Sequence, residues 1–379
     1  MRVCHIITRL IVGGAQENTL ASVMGLRARP GYECVDLVSG IESGTEGSLV
    51  DPACDAGVKP VWIPSLRRAI SPWNDLCALH RLTGLLRDGR YDIVHTHSGK
   101  AGFLGRLAAR RAGVPVVVHT IHGPSFGAFQ GALANAAFRF AERVAGRATT
   151  HFVSVADAMT RLYLDAGIGR PGQSTTIRSG FDVAAFVRAQ PDAALREKLG
   201  GGPIVGQVAR LIKRKGWELF FEMARAMPEA KFLVVGDGPW RAKLETWAAE
   251  PALRGRVHFA GLVPREDVPR YVASVDVLAH LSLREGLPRA VAQALAAGKP
   301  VVAHPLDGTP EIVSDGETGF LVPVGDQAAL VDRVRRLLRD PALAAAMGRR
   351  GQARVVKEFT VEEMVRRLDE LYHSLLKSR

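Results

Sequence analysis

The stretch from His280 to Pro323, HLSLREGLPRAVAQALAAGKPVVAHPLDGTPEIVSDGETGFLVP, gathers residue types able to hold a ligand bearing phosphates and hydroxyls. A strand expected at Val275–Leu281 runs into the loop Ser282–Leu287, which carries Glu285 and Gly286, and then into a helix expected from Pro288 to Ala297. Proline at the first helical position, with Gly298 and Pro300 past the end, supplies the start and stop signals. On that reading the cap falls on Leu287, which has no side-chain acceptor. The first helical amides then stay open, and the positive end of the helix dipole faces an incoming anion. The strand PVVAHP leads to a second such turn, DGTPEIV, with Gly308 or Thr309 before Pro310 and Glu311 in the first turn. Ordinary βα turns of a parallel sheet are the plainer alternative for both. Upstream, ARLIKRKGWELF places Arg210 at a strand end and Lys215 just before a helix start. Two cations beside a helix N-terminus suit a diphosphate held without metal. Lys213 and Arg214 read as solvated neighbours.

The N-terminal half offers a second set. RLIVGGAQENTL contains Gly13 and Gly14 at a strand-to-helix turn, without a full GxGxxG. HTHSGKAGFLGRLAARRAGVPVVVHTIHG carries His95, His97, His119 and His122. His-x-His on a strand faces one side, so His95 and His97 raise the question of zinc, but no third ligand is evident. Hydrogen-bonded histidines at strand ends are the other reading.

These residues require a particular scaffold. Short β-rich runs at Val3–Thr8, Cys34–Val38, Val58–Ile63, Asp92–Thr96, Val114–Thr120 and Phe152–Val155 alternate with amphipathic helices, the pattern of a doubly wound α/β sheet. After the polar stretch RAQPDAALREKLGGGP a second βα series begins at Ile204 and runs through KFLVVGDG, VHFAG and VDVLAHL. The expected division is residues 1–186, 187–358 and a final amphipathic segment 359–379, helical from about Val361 to Leu376. Ligands of such sheets bind beyond the carboxyl ends of the strands.

Composition narrows the class. The 379 residues carry a net charge of +12, spread over both halves: residues 1–190 hold 21 Lys+Arg against 14 Asp+Glu. Only 6% of residues are aromatic and no basic stripe stands out, which argues against nucleic acid. An anionic membrane surface, a phosphorylated acceptor and a diphosphate donor account for the excess charge. Arginine-rich segments at Gly105–Gly113 and Phe138–Arg147 offer clusters for anionic lipid, with ordinary solvated helix faces as the alternative. No apolar run approaches the length of a membrane span, and MRVCHIITRL reads as a first strand rather than a leader. Cys4, Cys34, Cys54 and Cys77 lack zinc spacing and are expected as reduced, largely buried thiols of a cytoplasmic protein, peripheral at the inner face of a membrane.

Glu285-Gly286 with the following helix, GKPVVA, EIVSDGETGFLVP and Gly325-Asp326 together resemble the nucleotide-sugar site of retaining glycosyltransferases of family 4. That resemblance implies the GT-B fold, two Rossmann-like domains facing across a cleft, with the acceptor on the N-terminal domain and the donor on the C-terminal one. It implies that Glu285 binds donor-sugar hydroxyls and that His122, in TIHG, lies at the donor sugar as the second catalytic residue. Arg210, Lys215, Gly13, Gly14, Gly286 and Leu287 would then meet the diphosphate. Gln293, Gly236 and Val263 would meet the nucleoside, and His97 and Lys100 would line the cleft. The last helix would cross back to the first domain. The chain departs from the family where a second glutamate is usual, since Gln293 stands there. A glutamine keeps one carbonyl acceptor for the ribose hydroxyls. The implied partners are a nucleotide-diphosphate sugar as donor substrate and a glycan or lipid-linked acceptor, with no cofactor. No Asp-x-Asp pair occurs, which argues against a metal bridging the diphosphate. A nucleotide-sugar 2-epimerase and a sugar-nucleotide-binding protein without turnover remain as alternatives.

Overall fold

The computed structural model describes every residue except 43, 45, 46, 128 and 379. The chain divides into two compact units, Met1–Phe181 with Val361–Arg379, and Asp182–Thr360. The break falls five residues before the expected 186/187 boundary.

The first unit is built on a seven-stranded sheet of order β3-β2-β1-β4-β5-β6-β7. Its strands are β1 (Arg2–Arg9), β2 (Cys34–Gly40), β3 (Val61–Trp62), β4 (Ile93–His97), β5 (Val116–Ile121), β6 (His151–Ser154) and β7 (Ser174–Thr176). All pairings are parallel. A parallel sheet is covered on both faces, which is why β1, β4 and β5 read as almost continuous apolar runs. Histidines interrupt them: His5 of β1 is in register with His95 of β4, and His97 with Thr120 of β5. Adjacent strands of a pleated sheet turn register partners to the same face, and residues i and i+2 share it. One face therefore carries His5, His95, His97 and Thr120, while Thr96 and His119 take the other.

The helix Val361–Lys377 closes that first face. Its buried stripe of Met364, Val365, Leu368 and Tyr372 joins the core that includes Val3, Ile7, Val23 and Leu26. It lies close against the helix Gly14–Arg27, where a side chain on Gly25 would collide with Val365. Asp369 accepts from Arg29 at 2.9 Å and from the Tyr32 hydroxyl at 2.7 Å, which fixes its register.

The second unit holds a six-stranded sheet of order β10-β9-β8-β11-β12-β13. Its strands are β8 (Ile204–Val208), β9 (Lys231–Val235), β10 (Val257–Gly261), β11 (Val277–His280), β12 (Val301–Ala303) and β13 (Gly319–Leu321). Strand order reverses between β8 and β11, as it does between β1 and β4 in the first unit. Loops that leave such a switch point diverge to opposite faces and open a crevice for a ligand.

Several local expectations change. The helix after β11 spans Arg289–Ala296 with Pro288 as its N-cap, so the cap lies one residue later than Leu287; no side chain caps it. The second turn, capped by Gly308, is a single 3-10 turn, Thr309–Glu311, with Pro310 as its second residue, and it ends where Ile312 and Val313 are drawn into the interior. The Val58–Ile63 strand shrinks to Val61–Trp62 at the sheet edge. Cys4 is buried, but Cys54 is exposed at the end of the short helix Val50–Asp55. Arg106 does not face lipid: it is fully buried and paired with Glu142 at 2.7 Å.

Candidate functional site

In the second unit, loops at the carboxyl ends of neighbouring strands tie one another in place. Gln207, at the end of β8 and 1% exposed, donates to the Lys215 carbonyl at 2.8 Å and accepts from the Leu281 amide. Leu283 N–H donates to the Arg214 carbonyl at 2.8 Å. The Glu285 amide donates to Asp307 Oδ2 at 2.6 Å, and the Gly308 amide to the Gly286 carbonyl at 3.0 Å. The loops after β8, β11 and β12 are thus cross-linked by hydrogen bonds around the switch point. One glycine makes this possible. Gly216 has φ 70°, and a Cβ there would sit 1.8 Å from the Leu281 carbonyl oxygen.

The side chains that matter meet at this junction. Lys215 Nζ forms a hydrogen-bonded ion pair with Glu285 Oε1, and the two side chains are 15% and 17% exposed. His280 Nε2 lies 3.4 Å from the same carboxylate oxygen. Burial raises the Glu285 pKa, but the Lys215 charge and His280 outweigh it, holding the carboxyl well below its ordinary range. Asp307 is pushed up, first by burial. A fixed carboxylate with its countercharge suits the binding of sugar hydroxyls, and the lysine adds a cation for a phosphate. Arg210, at the end of β8, is partly exposed and accepts on its carbonyl from Trp217 Nε1 at 2.9 Å. Lys213 and Arg214 are exposed.

Around that centre, Gly286 and Leu287 are buried at the start of the turn into Arg289–Ala296, and Gln293 is half-buried on that helix. Gly236 follows β9 with φ 132°, and a Cβ would come 2.1 Å from the Ala209 carbonyl oxygen, so it brings the β9 loop against the β8 loop. Val263, after β10, packs on a small cluster of Leu195, Leu199, Ile204, Leu233, Val235 and Val275.

The first unit brings the histidines together. His5 Nδ1 and His97 Nε2 are 3.0 Å apart, and His97 Nδ1 and His122 Nε2 are also 3.0 Å apart. His95 Nδ1 lies 2.5 Å from the Tyr372 hydroxyl, and its Nε2 lies 2.6 Å from Thr120 Oγ1. The Tyr372 hydroxyl is also 3.4 Å from His5 Nε2. Burial pushes His5 down to about 3 and His95 and His97 well below the usual imidazole value, so all three are neutral at neutral pH. His122 is the partly exposed end of the cluster. His97, expected beside the ligand, instead stands behind His122 with 1% of its surface exposed. Lys100 is paired with Asp75 at 2.6 Å and belongs to the packing of two helices. Gly13 caps the helix Gly14–Arg27 in an extended conformation, and Gly14 is exposed at its first turn.

Sequence reasoning lacked the third histidine for His95 and His97, which is His5: ligand atoms of the three lie within 4.8 Å of one another. Geometrically they could share a metal ion, but each of their ring nitrogens already faces a side-chain partner. Gln207, His280, Asp307 and Tyr372 were also missed. His280 and Asp307 stand within the stretch that drew attention, whereas Gln207 and Tyr372 carried no signal.

Comparison with known proteins agrees with this architecture. Residues 13–180 match the family described as Glycosyl transferase 4-like domain, and residues 193–354 match Glycosyl transferases group 1. The chain is 31% identical over 342 residues to the UDP-Gal:alpha-D-GlcNAc-diphosphoundecaprenol alpha-1,3-galactosyltransferase of Escherichia coli, covering 86% of each. It is 33% identical over 282 residues to the GDP-mannose-dependent alpha-(1-6)-phosphatidylinositol monomannoside mannosyltransferase of Mycolicibacterium smegmatis, covering 70% of this chain and 72% of that one. The crystal structure of Anabaena HepE in complex with UDP and glucose superposes with a TM-score of 0.84 at 22% identity, covering 99% of this chain and 100% of that one. Sucrose-phosphate synthase from Thermosynechococcus elongatus gives 0.83 at 22% identity, over the whole of both chains. These two likenesses speak for the fold. With two doubly wound units, matched along nearly their whole length, the chain belongs to the GT4-type glycosyltransferases of GT-B fold.

Proposed function

We propose that this glycosyltransferase moves a sugar from a nucleotide-diphosphate sugar to a hydroxyl of a glycan or lipid-linked acceptor, with retention of anomeric configuration. The observation that carries the reading is the Lys215–Glu285 pair at the β8/β11 switch point. Glu285 accepts hydrogen bonds from donor-sugar hydroxyls. Lys215, Arg210 and the backbone amides of Gly286 and Leu287 hold the diphosphate. The bond from the anomeric carbon to the phosphate oxygen breaks with its electron pair on the diphosphate. The acceptor oxygen bonds the anomeric carbon on the same face, and its proton passes to the departing phosphate oxygen. The protein's part is positioning and charge stabilisation, without metal or other cofactor. Gln293 binds the ribose hydroxyls, and the loops at Gly236 and Val263 border the nucleobase.

Both relatives above are named for alpha linkages and for acceptors carried on a lipid, which supports retention and a lipid-linked acceptor. The surface of the first unit also supports a lipid-linked acceptor. A depression of about 700 Å³ is lined by Arg9, Ile41, Glu42, Arg67, Arg68 and Ala69. Beside it in sequence, Ile70 is 75% and Trp73 74% exposed. Cations next to bare apolar side chains suit the phosphates and chain of such an acceptor at the inner face of an anionic membrane.

A thermal-shift screen of nucleotide sugars, followed by nucleotide release with lipid-linked acceptors and NMR of the product anomer, tests the reading. Acceptor-dependent release and an alpha product from an alpha donor are expected. Nucleotide retained on an isomerised sugar would favour an epimerase, and binding without turnover a non-catalytic protein.

A further inference from the structure

In the second unit, Asp307 holds a left-handed backbone conformation with φ 52°; among the described residues only Arg90 and Ser98 are also non-glycine residues at positive φ. Such a conformation persists where the surroundings over-determine it, and aspartate is one of the few residue types that visit it singly. Here it lets the loop after β12 grip the turn after β11. Asp307 Oδ2 accepts from the Glu285 amide at 2.6 Å. The next residue, Gly308, donates its amide to the Gly286 carbonyl at 3.0 Å. The peptide group entering Glu285 and the one leaving Gly286 are therefore both held by consecutive residues of one loop.

The second of these contacts fixes a direction. The Gly286 carbonyl and the Leu287 N–H belong to one trans peptide plane and point opposite ways. With the carbonyl turned to Gly308, the Leu287 N–H is turned away from the β12 loop. It meets no acceptor among the described residues, although Leu287 is only 8% exposed. The amide of Gly286, also buried, meets none among them either. Pro288 follows, with no N–H to offer, and caps the helix Arg289–Ala296 without a side-chain bond. Buried backbone donors are nearly always paired, so two consecutive open amides suit an acceptor from outside the chain.

We propose that Asp307 is a positioning residue: by holding the Glu285 amide and setting Gly308 against Gly286, it aims the amides of Gly286 and Leu287 at a phosphate of a nucleoside diphosphate. All of these protein atoms belong to the second unit. The phosphate rests on the function proposed above; the coupling of the two loops does not. What the role needs of Asp307 is one side-chain oxygen on a left-handed backbone. Asparagine keeps both, whereas glycine keeps the conformation without strain and deletes the oxygen.

The test uses the full chain with Asp307→Gly and Asp307→Asn. Hydrogen exchange without ligand, read by mass spectrometry over residues 283–287, is expected to lose one slowly exchanging amide in the glycine variant and to keep it in the asparagine variant. UDP and GDP are then titrated by calorimetry, and uridine and guanosine by NMR. The diphosphate that the wild type binds should bind about tenfold more weakly to Asp307→Gly and within about twofold of wild type to Asp307→Asn, the scale of one hydrogen bond to a charged group. The matching nucleoside should bind all three proteins alike, whereas a merely structural role would weaken nucleoside and diphosphate together. Equal losses for the two, an unchanged diphosphate affinity in Asp307→Gly, or an asparagine variant as weak as the glycine one would overturn the proposal. A wild type that binds neither diphosphate, with the exchange difference still present, would leave the loop coupling standing and remove the functional reading instead.

Discussion

Removing Lys215 should do more damage than removing Lys215 and Glu285 together. In hydrogen-bond contact, unit charges attract by about 5–6 kcal/mol at an effective dielectric of about 20. Desolvation of each ion costs several kcal/mol, so the intact pair adds little net stability over a neutral pair of similar shape. Lys215→Met alone leaves the Glu285 carboxylate 17% exposed, with His280 at 3.4 Å and the Asp307 carboxylate on its own amide. Breaking a fully buried pair costs about 3–5 kcal/mol, and the residual exposure here lowers that to about 2–3 kcal/mol. Glu285→Gln added to Lys215→Met removes the stranded charge and should recover most of the loss, giving a coupling of about 2 kcal/mol. Urea unfolding followed by tryptophan fluorescence reports chiefly on the second unit, because Trp217, in its core, Trp240 and Trp247 lie there, whereas Trp62 and Trp73 of the first unit are already exposed when folded. All three variants should transfer poorly, so stability rather than activity isolates the pair. Strictly additive single mutants would show that the ion pair does not organise this site.

Acid should destabilise the first unit through its buried histidines. An unfolded imidazole takes a proton below about pH 6.5, whereas folded His5 resists until about 3, so the unfolded state holds more protons in that window and stability falls as pH falls. His5 alone contributes a loss of about 2 kcal/mol at pH 5, and His95, His97 and His119 act in the same direction. Thermal melts from pH 8 to pH 4.5 measure it, and a flat profile would contradict neutral burial. Gln293→Glu should change donor KM by less than about tenfold, since it exchanges a neutral for a charged hydrogen bond, whereas Glu285→Ala should lower transfer by roughly 10²–10³-fold. Transfer should survive EDTA; complete loss restored by manganese or magnesium would refute phosphate binding by Lys215, Arg210 and backbone amides alone. Co-sedimentation with anionic but not neutral vesicles is expected to weaken with salt and in Ile70→Ser/Trp73→Ser, and equal recovery with and without vesicles would end the membrane reading.

The local chemistry of the second unit was legible in the sequence because it is local. Strand, loop and helix start are contiguous around Arg210–Lys215 and around Glu285–Arg289, and βα punctuation marks both. Apolar periodicity likewise revealed two doubly wound units and the amphipathic last helix. What sequence could not express was which loops touch. Lys215 and Glu285 were assigned to phosphate and sugar separately, and only sheet order, which sets β8 beside β11, makes them one ion pair. The cap after β11 fell one residue later than expected, and the second turn, capped by Gly308 as expected, is a 3-10 turn, because tertiary packing decides such ends within a residue or two. The same holds for Arg106, whose burial depends on Glu142 from another helix. The histidines show the division most plainly. Spacing put His95 and His97 on one face of a strand, but His5 joins them through strand pairing and Tyr372 through a helix packed from the far end of the chain. Hydrogen bonds between groups so distant in sequence exist only once the sheet and its covering helix have formed, so tertiary structure alone decided what stands behind His122.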